Sequence, residues 1–341
     1  MENRLLEPIE IKGMKLKNRI GFAPILGMPV DPDGSVNDET IRWFEDRAKG
    51  GSGFIMTGTI ESFSPDSYSK KAPVRQETGA CLYDDKYISG WSKLIDVIHS
   101  YDVKIGAQLA APGPMMAEGP SPSPYPDHHS PRFGIFDLMA GTILPVDEVS
   151  LERMDEVKKH LAKTAGRVKC AGFDCVELHC AHGGANLHGA FLSPYYNRRT
   201  DNYGGNWDNR ARFIVETVVE MRKAVGDDYP ILVRISADDL LGNKGNTVDD
   251  VAQYIVPILE KAGVDAIDVS QGSVTHSMQG PAIPPYYPRG CFISYAEKIK
   301  NATKLPVIGV GRILDFNMGE QILLQDKADI LYLGSQLMAD P

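Results

Sequence analysis

An α/β fold, a closed (β/α)8 TIM barrel, is what the sequence predicts, and three observations carry the prediction. Eight short runs rich in β-branched residues are spread along the 341 residues. A segment of helical periodicity separates each run from the next, and such alternation implies a parallel sheet. Eight repeats over this length suit one closed barrel, which commonly takes ~250 residues, better than an open doubly wound sheet. Strand order is not written in one sequence, so the open sheet stands as the alternative. The prediction is one domain over residues 1–341.

The runs stand at residues 20–23, 54–57, 103–109, 175–179, 231–235, 266–269, 307–310 and 330–333. Between the second and third, residues 84–100 carry Ile88, Trp91, Leu94, Ile95 and Ile98 on one helical face. Between the fourth and fifth, residues 209–225 place Ala211, Ile214, Val218, Met221 and Val225 on one stripe, and Gly226 follows. Between the fifth and sixth, residues 248–262 repeat the pattern, and Gly263 is the stop signal. Two loops break the regularity. Residues 112–131 hold seven prolines and the adjacent His128 and His129, and residues 280–290 are rich in Pro and Tyr. Irregular segments this long are commonly functional. The chain stops at Pro341, soon after the eighth run. The helix that should cover that strand is missing, so the expectation is the N-terminal part of a longer protein.

Composition narrows the function. Hydrophobic residues make up 43% and charged residues 24%, which excludes a disordered tail or a coiled coil. The net charge is −9, and no basic block is present to neutralise phosphates, so nucleic acid is not an expected partner. No apolar stretch approaches the ~18 residues of a membrane span, and the N-terminus has no signal-like apolar region. The five cysteines contain no C-x-x-C pair, which removes zinc-finger and ferredoxin spacings and suits a reducing, cytoplasmic setting.

Barrel chemistry gathers where strands end. The fourth run ends in Glu177-Leu178-His179-Cys180-Ala181-His182. Two imidazoles three residues apart, leaving a strand, can face one pocket as hydrogen-bond donors to a carbonyl or as metal ligands. The ligand count is short for a metal, so none is expected. The seventh and eighth runs are followed by Gly311-Arg312 and Gly334-Ser335. Barrels often seat a phosphate there, with glycines admitting close backbone approach and an arginine adding charge-assisted bonds. Arg234 lies inside an apolar run and needs a carboxylate such as Glu177, or a ligand, to offset its burial. Gln108 ends the third run in a similar place.

Several stretches resemble the old yellow enzyme family of flavin-dependent barrels. They are Phe191-Leu192-Ser193-Pro194, Asn197, Arg199-Thr200-Asp201, Tyr203-Gly204-Gly205, Asn209-Arg210 and Arg212-Phe213. The opening Leu16-Lys17-Asn18-Arg19-Ile20 with Ala23-Pro24, and Ala48-Lys49-Gly50-Gly51, add to it. The likeness is nearest to 2,4-dienoyl-CoA reductases and bacterial enone reductases acting on bile acids and steroids. It implies FMN at the barrel mouth and NADH or NADPH as electron donor. It implies hydride transfer through flavin N5 to the activated C=C of a hydrophobic α,β-unsaturated carbonyl compound. By the same resemblance Pro24, Ile25 and Leu26 lie beside the flavin ring and Gly58 approaches it. Gln108 bonds its pyrimidine edge, and Arg234 sits near N1 and O2. Gly311, Arg312, Gly334 and Ser335 hold the phosphate, and His179 and His182 bond the substrate carbonyl. An iron–sulfur cluster and FAD belong to the longer relatives, beyond the barrel. A homo-oligomer is in keeping with the family.

The sequence departs from the family at Gly184, where a proton-donating tyrosine is usual, and Tyr125, Tyr286 or Tyr287 are substitutes from other loops. Two rival readings share the barrel. A trimethylamine-dehydrogenase-like oxidase or demethylase wants an aromatic bowl, and a non-catalytic flavin-binding barrel needs no proton donor. A flavin-independent aldolase or isomerase wants a lysine or paired carboxylates at strand ends, and no lysine stands at one.

Overall fold

A computed structural model describes residues 3–64, 79–114, 121–124, 148–273 and 286–341. A hairpin of β1 (Ile9–Ile11) and β2 (Met14–Leu16) comes first, turning through Lys12 and Gly13, both at positive φ. Two successive left-handed residues match the twist of a two-residue hairpin. The sequence reading missed this hairpin because three-residue strands carry almost no periodicity.

Eight parallel strands follow: β3 (Ile20–Phe22), β4 (Phe54–Ile60), β5 (Lys104–Leu109), β6 (Cys175–Cys180), β7 (Ile231–Ser236), β8 (Ala266–Ser270), β9 (Val307–Gly309) and β10 (Ile330–Leu333). They close in the order β10-β3-β4-β5-β6-β7-β8-β9. The closing seam sets Leu331 opposite Ile20 and Leu333 opposite Phe22. Each predicted run became a strand, and closure decides against the open sheet.

The strands alternate between two cores. Inward, Phe54, Met56, Cys175, Leu232, Ala266, Ile308, Ile330 and Tyr332 fill the barrel, and Ile11, Met14 and Leu16 of the hairpin join them. Outward, residues such as Leu178, Val233, Ile267 and Leu331 pack against the helices. Gly21 is small because the Tyr332 ring lies 2.7 Å from where its Cβ would be. Burying an apolar side chain of this size stabilises by about 1.5–3 kcal/mol, so the two layers dominate folding.

The helices lie outside. They are α1 (Asp38–Lys49), α2 (Ile88–His99), α3 (Leu151–Ala171), α4 (Leu187–Leu192) and α5 (Trp207–Val225). Asn37 and Thr40 form a capping box at α1, and Asn206 caps α5. The segment after β7 is helical at Val248–Asp250, passes through a π turn at Val251–Ile255, and resumes at Val256–Lys261. Pro257 explains the wide turn: it lacks an N–H and its ring crowds the carbonyl four residues back. The remaining helices are Ile293–Lys300, Phe316–Leu324 and Ser335–Ala339.

The last of these follows β10 and is too short to be the helix expected to cover that strand. It is one short turn, with Leu337 buried and its carbonyl accepting from Arg47 Nε at 3.1 Å. The seam beside it is closed by strand pairing. The N-terminal turn Arg4–Leu6 is tied down there by Glu320, whose carboxylate accepts from the Arg4 and Leu5 amides at 2.7 and 2.9 Å.

Candidate functional site

All eight barrel strands bring a predicted residue, or a partner of one, to the end where they point. Pro24, Ile25 and Leu26 follow β3, Gly58 lies within β4, and Gln108 is in β5. His179 and His182 come from β6 and the turn after it, and Arg234 from β7. Asp268 and Ser270 lie on β8, Gly311 and Arg312 follow β9, and Gly334 and Ser335 follow β10.

One arc is built from backbone. Pairing of β4 with β5 shifts register between Met56 and Thr59, so Gly58 sits in a bulge. A bulge re-aims the residues around it. A Cβ at Gly58 would run into the Ile25 carbonyl oxygen. At Gly334 a Cβ would meet Ile25 Cδ1 at 3.5 Å and Ala23 at 3.8 Å, so Ile25 bridges the ends of β3, β4 and β10. Gly311 has φ of 127°, and a Cβ there would lie 2.9 Å from Phe292. The first amides of the turn Ser335–Ala339 have no intrahelical acceptor. Leu26, which follows β3, is 71% exposed. Arg312 is half-buried and donates to the Tyr287 carbonyl, which directs it toward the loop at 286–290.

Beneath the mouth lies a polar layer. Gln108 Nε2 donates to Glu177 Oε1 at 2.7 Å, and Gln108 Oε1 accepts from Thr59 at 3.0 Å. Arg234 Nη1 donates to Asp268 Oδ2 at 2.8 Å. The partner that buried Arg234 needed is therefore Asp268, with Glu177 nearby in the same layer. Sequence reasoning passed over Asp268. Its signal was available, as the lone charge in the apolar run 266–269. Burial pushes Glu177 up to about 8, with repulsion from Asp268 adding to it.

The histidine rings meet edge to face, 5.2 Å between centroids and 87° between planes. His182 has φ of 58°, an uncommon conformation for this residue. It is held there because its amide donates to Ser236 Oγ at 2.8 Å, and Ser236 donates to the Gly272 carbonyl at 2.9 Å. Burial, and then the Arg234 charge, pull His182 down to about 3. Burial foremost, then repulsion between the two rings when both are protonated and the Arg234 charge, pulls His179 well below the usual imidazole range. Both rings are neutral near pH 7.

The hydrogen-bond pattern assigns their protons. The Ala181 amide donates to His179 Nδ1 at 3.3 Å, which leaves the ring proton on Nε2. His182 Nε2 lies 2.8 Å from Ser270 Oγ, and Arg234 Nη2 donates to that same oxygen at 3.4 Å. The arrangement that gives every one of these groups a partner has Ser270 donating to His182 Nε2, which assigns the ring proton to Nδ1. The pair offers two neutral N–H donors.

At Gly184, φ is 100° and no side chain is present. Tyr196, which the sequence reading did not name, lies beside this turn. Its hydroxyl is 2.7 Å from Ser273 Oγ, and Ser273 donates to the Gly183 carbonyl at 3.1 Å. Tyr286 is 83% exposed. Tyr125, His128 and His129 lie outside the described residues. Among the described residues no three His, Cys, Asp or Glu side chains converge as a metal set, and no helix is long and apolar enough to cross a membrane.

The family model for NADH:flavin oxidoreductase / NADH oxidase matches residues 4–341. The chain belongs to that family, the old yellow enzyme family. These flavin oxidoreductases bind FMN and draw electrons from NADH or NADPH. The chain is 35% identical to an NADH oxidase of Thermoanaerobacter brockii over 97% of its own length and 48% of that protein's. It is 34% identical to an NADPH dehydrogenase of Bacillus subtilis (strain 168), covering 100% of this chain and 93% of the relative. Among solved structures, a 2-naphthoyl-CoA reductase with 2-naphthoyl-CoA superposes with a TM-score of 0.82 at 27% identity, over 100% of this chain and 51% of the other. The chain thus spans about half the length of some relatives and nearly all of others.

The residues present fit the flavin of this old yellow enzyme family. Arg234 Nε is a buried donor with no acceptor among the described residues, and the pyrimidine edge of a flavin is an acceptor. Glycines at the ends of β9 and β10 supply the kind of backbone on which main-chain amides receive a phosphate.

Proposed function

We propose that this chain is an FMN-dependent ene reductase acting on the activated C=C of a hydrophobic α,β-unsaturated carbonyl compound, an enone or an enoyl thioester. The observation that carries the proposal is the pair of neutral N–H donors on His179 and His182, beside the layer holding Arg234. Bound here, FMN would supply the hydride-transfer chemistry between NAD(P)H and the substrate.

The chain's own residues do the rest. Pro24, Ile25 and Gly58 would flank the ring, Gln108 and Arg234 would bond its pyrimidine edge, and Gly311, Arg312, Gly334 and Ser335 would seat the phosphate. Arg234 places positive charge where negative charge must develop on reduction. His179 Nε2–H and His182 Nδ1–H bind the substrate oxygen and draw electron density from the alkene. Because both rings stay neutral, they hold the carbonyl and do not supply the proton to the α-carbon. The five free cysteines suit a reducing compartment, so the cytoplasm is the proposed setting. Residues 1–341 are read as one FMN-binding domain.

An anaerobic titration tests this. The purified chain with FMN is reduced chemically, its flavin absorption bleaches, and addition of an enone restores it with formation of the saturated ketone. A colourless protein that takes up no FMN overturns the cofactor, and reduced flavin that persists beside excess enone overturns the substrate class. The amine-oxidising alternative predicts bleaching by a tertiary amine instead.

A further inference from the structure

The polar layer holds more charge than its cation offsets. Glu177 and Asp268 are both 0% exposed, and Arg234 is the guanidinium whose charge acts on both. Arg234 bonds one Asp268 oxygen, whereas Glu177, among the described residues, bonds only the neutral amide of Gln108. Glu177 Oε2 and Asp268 Oδ1 are both buried with no partner among the described residues, and so is the Tyr332 hydroxyl. A second full negative charge in this interior would be uncompensated, which a barrel core does not sustain. One added proton on Glu177 removes the uncompensated charge and turns Oε2 from an unmet acceptor into a donor.

We propose that the buried pair Glu177 and Asp268 carries one proton in total, on Glu177 at neutral pH, and so regulates the charge beside Arg234 under the candidate flavin site. Asp268 keeps the negative charge because the guanidinium bonds it directly. The other titratable groups facing Glu177 do not replace it. Tyr332 on β10 and the thiols of Cys175 and Cys180 on β6 are all held protonated by burial. Gln108 on β5 is neutral. Loss of this proton adds one negative charge next to Arg234 and weakens that residue's attraction for an anionic reduced flavin. Glu177 is in this sense a positioning residue for charge, acting through Arg234. Burial and the Asp268 charge raise its proton affinity into the mildly alkaline range, which supports the geometric argument.

The proton itself rests on the barrel alone, and its effect on flavin rests on the FMN reading above. Infrared difference spectra of the flavin-free chain in water and deuterium oxide test the first part. At about pH 7.5 we expect the C=O stretch of one protonated buried carboxyl, fading as the pH rises through about 8. Glu177→Gln removes that band by removing the acid. Asp268→Asn also removes it, because Glu177 then ionises beside Arg234. Wild-type protein without the band, or a band that survives both variants, overturns the proposal; the wild-type measurement needs no variant to fold.

The second part is read from the reduction midpoint of bound FMN against pH. Wild type should show a break near the pH where the carboxyl band fades, and Glu177→Gln should lack it. A wild-type midpoint with no such break overturns the regulatory role. Failure of the chain to bind FMN refutes the cofactor reading while the infrared result still decides the proton on Glu177.

Discussion

Arg234→Met isolates the charge at the centre of the site. Methionine keeps an extended side chain and removes the guanidinium. Asp268, fully buried, loses its 2.8 Å bond, and Glu177 loses its nearest cation. Breaking a buried pair from one side costs about 3–5 kcal/mol, because the other charge is stranded. Unfolding entropy of ~2.1 cal/mol/K per residue gives ~0.7 kcal/mol/K for a chain of this length. Calorimetry of the flavin-free chain should therefore show a melting temperature lower by about 4–7 °C. Adding Asp268→Asn removes the stranded charge and should recover at least half of the loss. FMN binding should behave differently. A hydrogen bond from a charged donor contributes about 1.5–3 kcal/mol, so Arg234→Met should weaken FMN about 10- to 150-fold, and Asp268→Asn should not restore it. A single variant as stable as wild type, or a double variant that recovers FMN affinity as well, would refute the division of labour argued for Arg234.

Other outcomes follow from the same geometry. His179→Ala with His182→Ala removes both neutral donors and should weaken binding of a phenol beside the flavin at least 10-fold; unchanged charge-transfer absorption would sink the assignment. Gly58→Ala forces a Cβ into the Ile25 carbonyl and should lower FMN retention on gel filtration while leaving the circular dichroism of the barrel intact. The raised Glu177 proton affinity has a signed consequence for stability. The native chain keeps a proton that the unfolded chain releases above about pH 4.5. This contribution is present at low pH and is lost as pH rises toward about 8. The melting-temperature advantage of wild type over Glu177→Gln should shrink from pH 5 to pH 9. His182 works in the opposite direction. Its pKa is lowered to about 3, so the unfolded chain binds the proton first and stability falls as pH drops from about 6.5 toward 3. Replacing His182 by Gln should flatten that acid limb in a urea titration.

The sequence by itself determined the barrel. Its eight β-branched runs all became strands, because inward and outward faces are both buried and leave a continuous apolar signal. The helices at 88–99 and 207–225 were legible from their stripes, and the glycines after β9 and β10 from their positions. The π turn before Pro257 was not legible, since it shifts one hydrogen-bond register without changing the apolar face. The site was legible only in part. His179, His182, Glu177 and Arg234 were visible as polar residues in or beside apolar runs. Asp268, Ser270 and Ser236 gained their roles from strands 34 to 88 residues away from the groups they hold. Barrel closure sets His179, Arg234 and Asp268 in one register across β6, β7 and β8. That juxtaposition decides which carboxylate pairs with the arginine and which keeps a proton, and it sets where each histidine carries its hydrogen. Those are properties of distances between strands, and one-dimensional spacing holds no record of them.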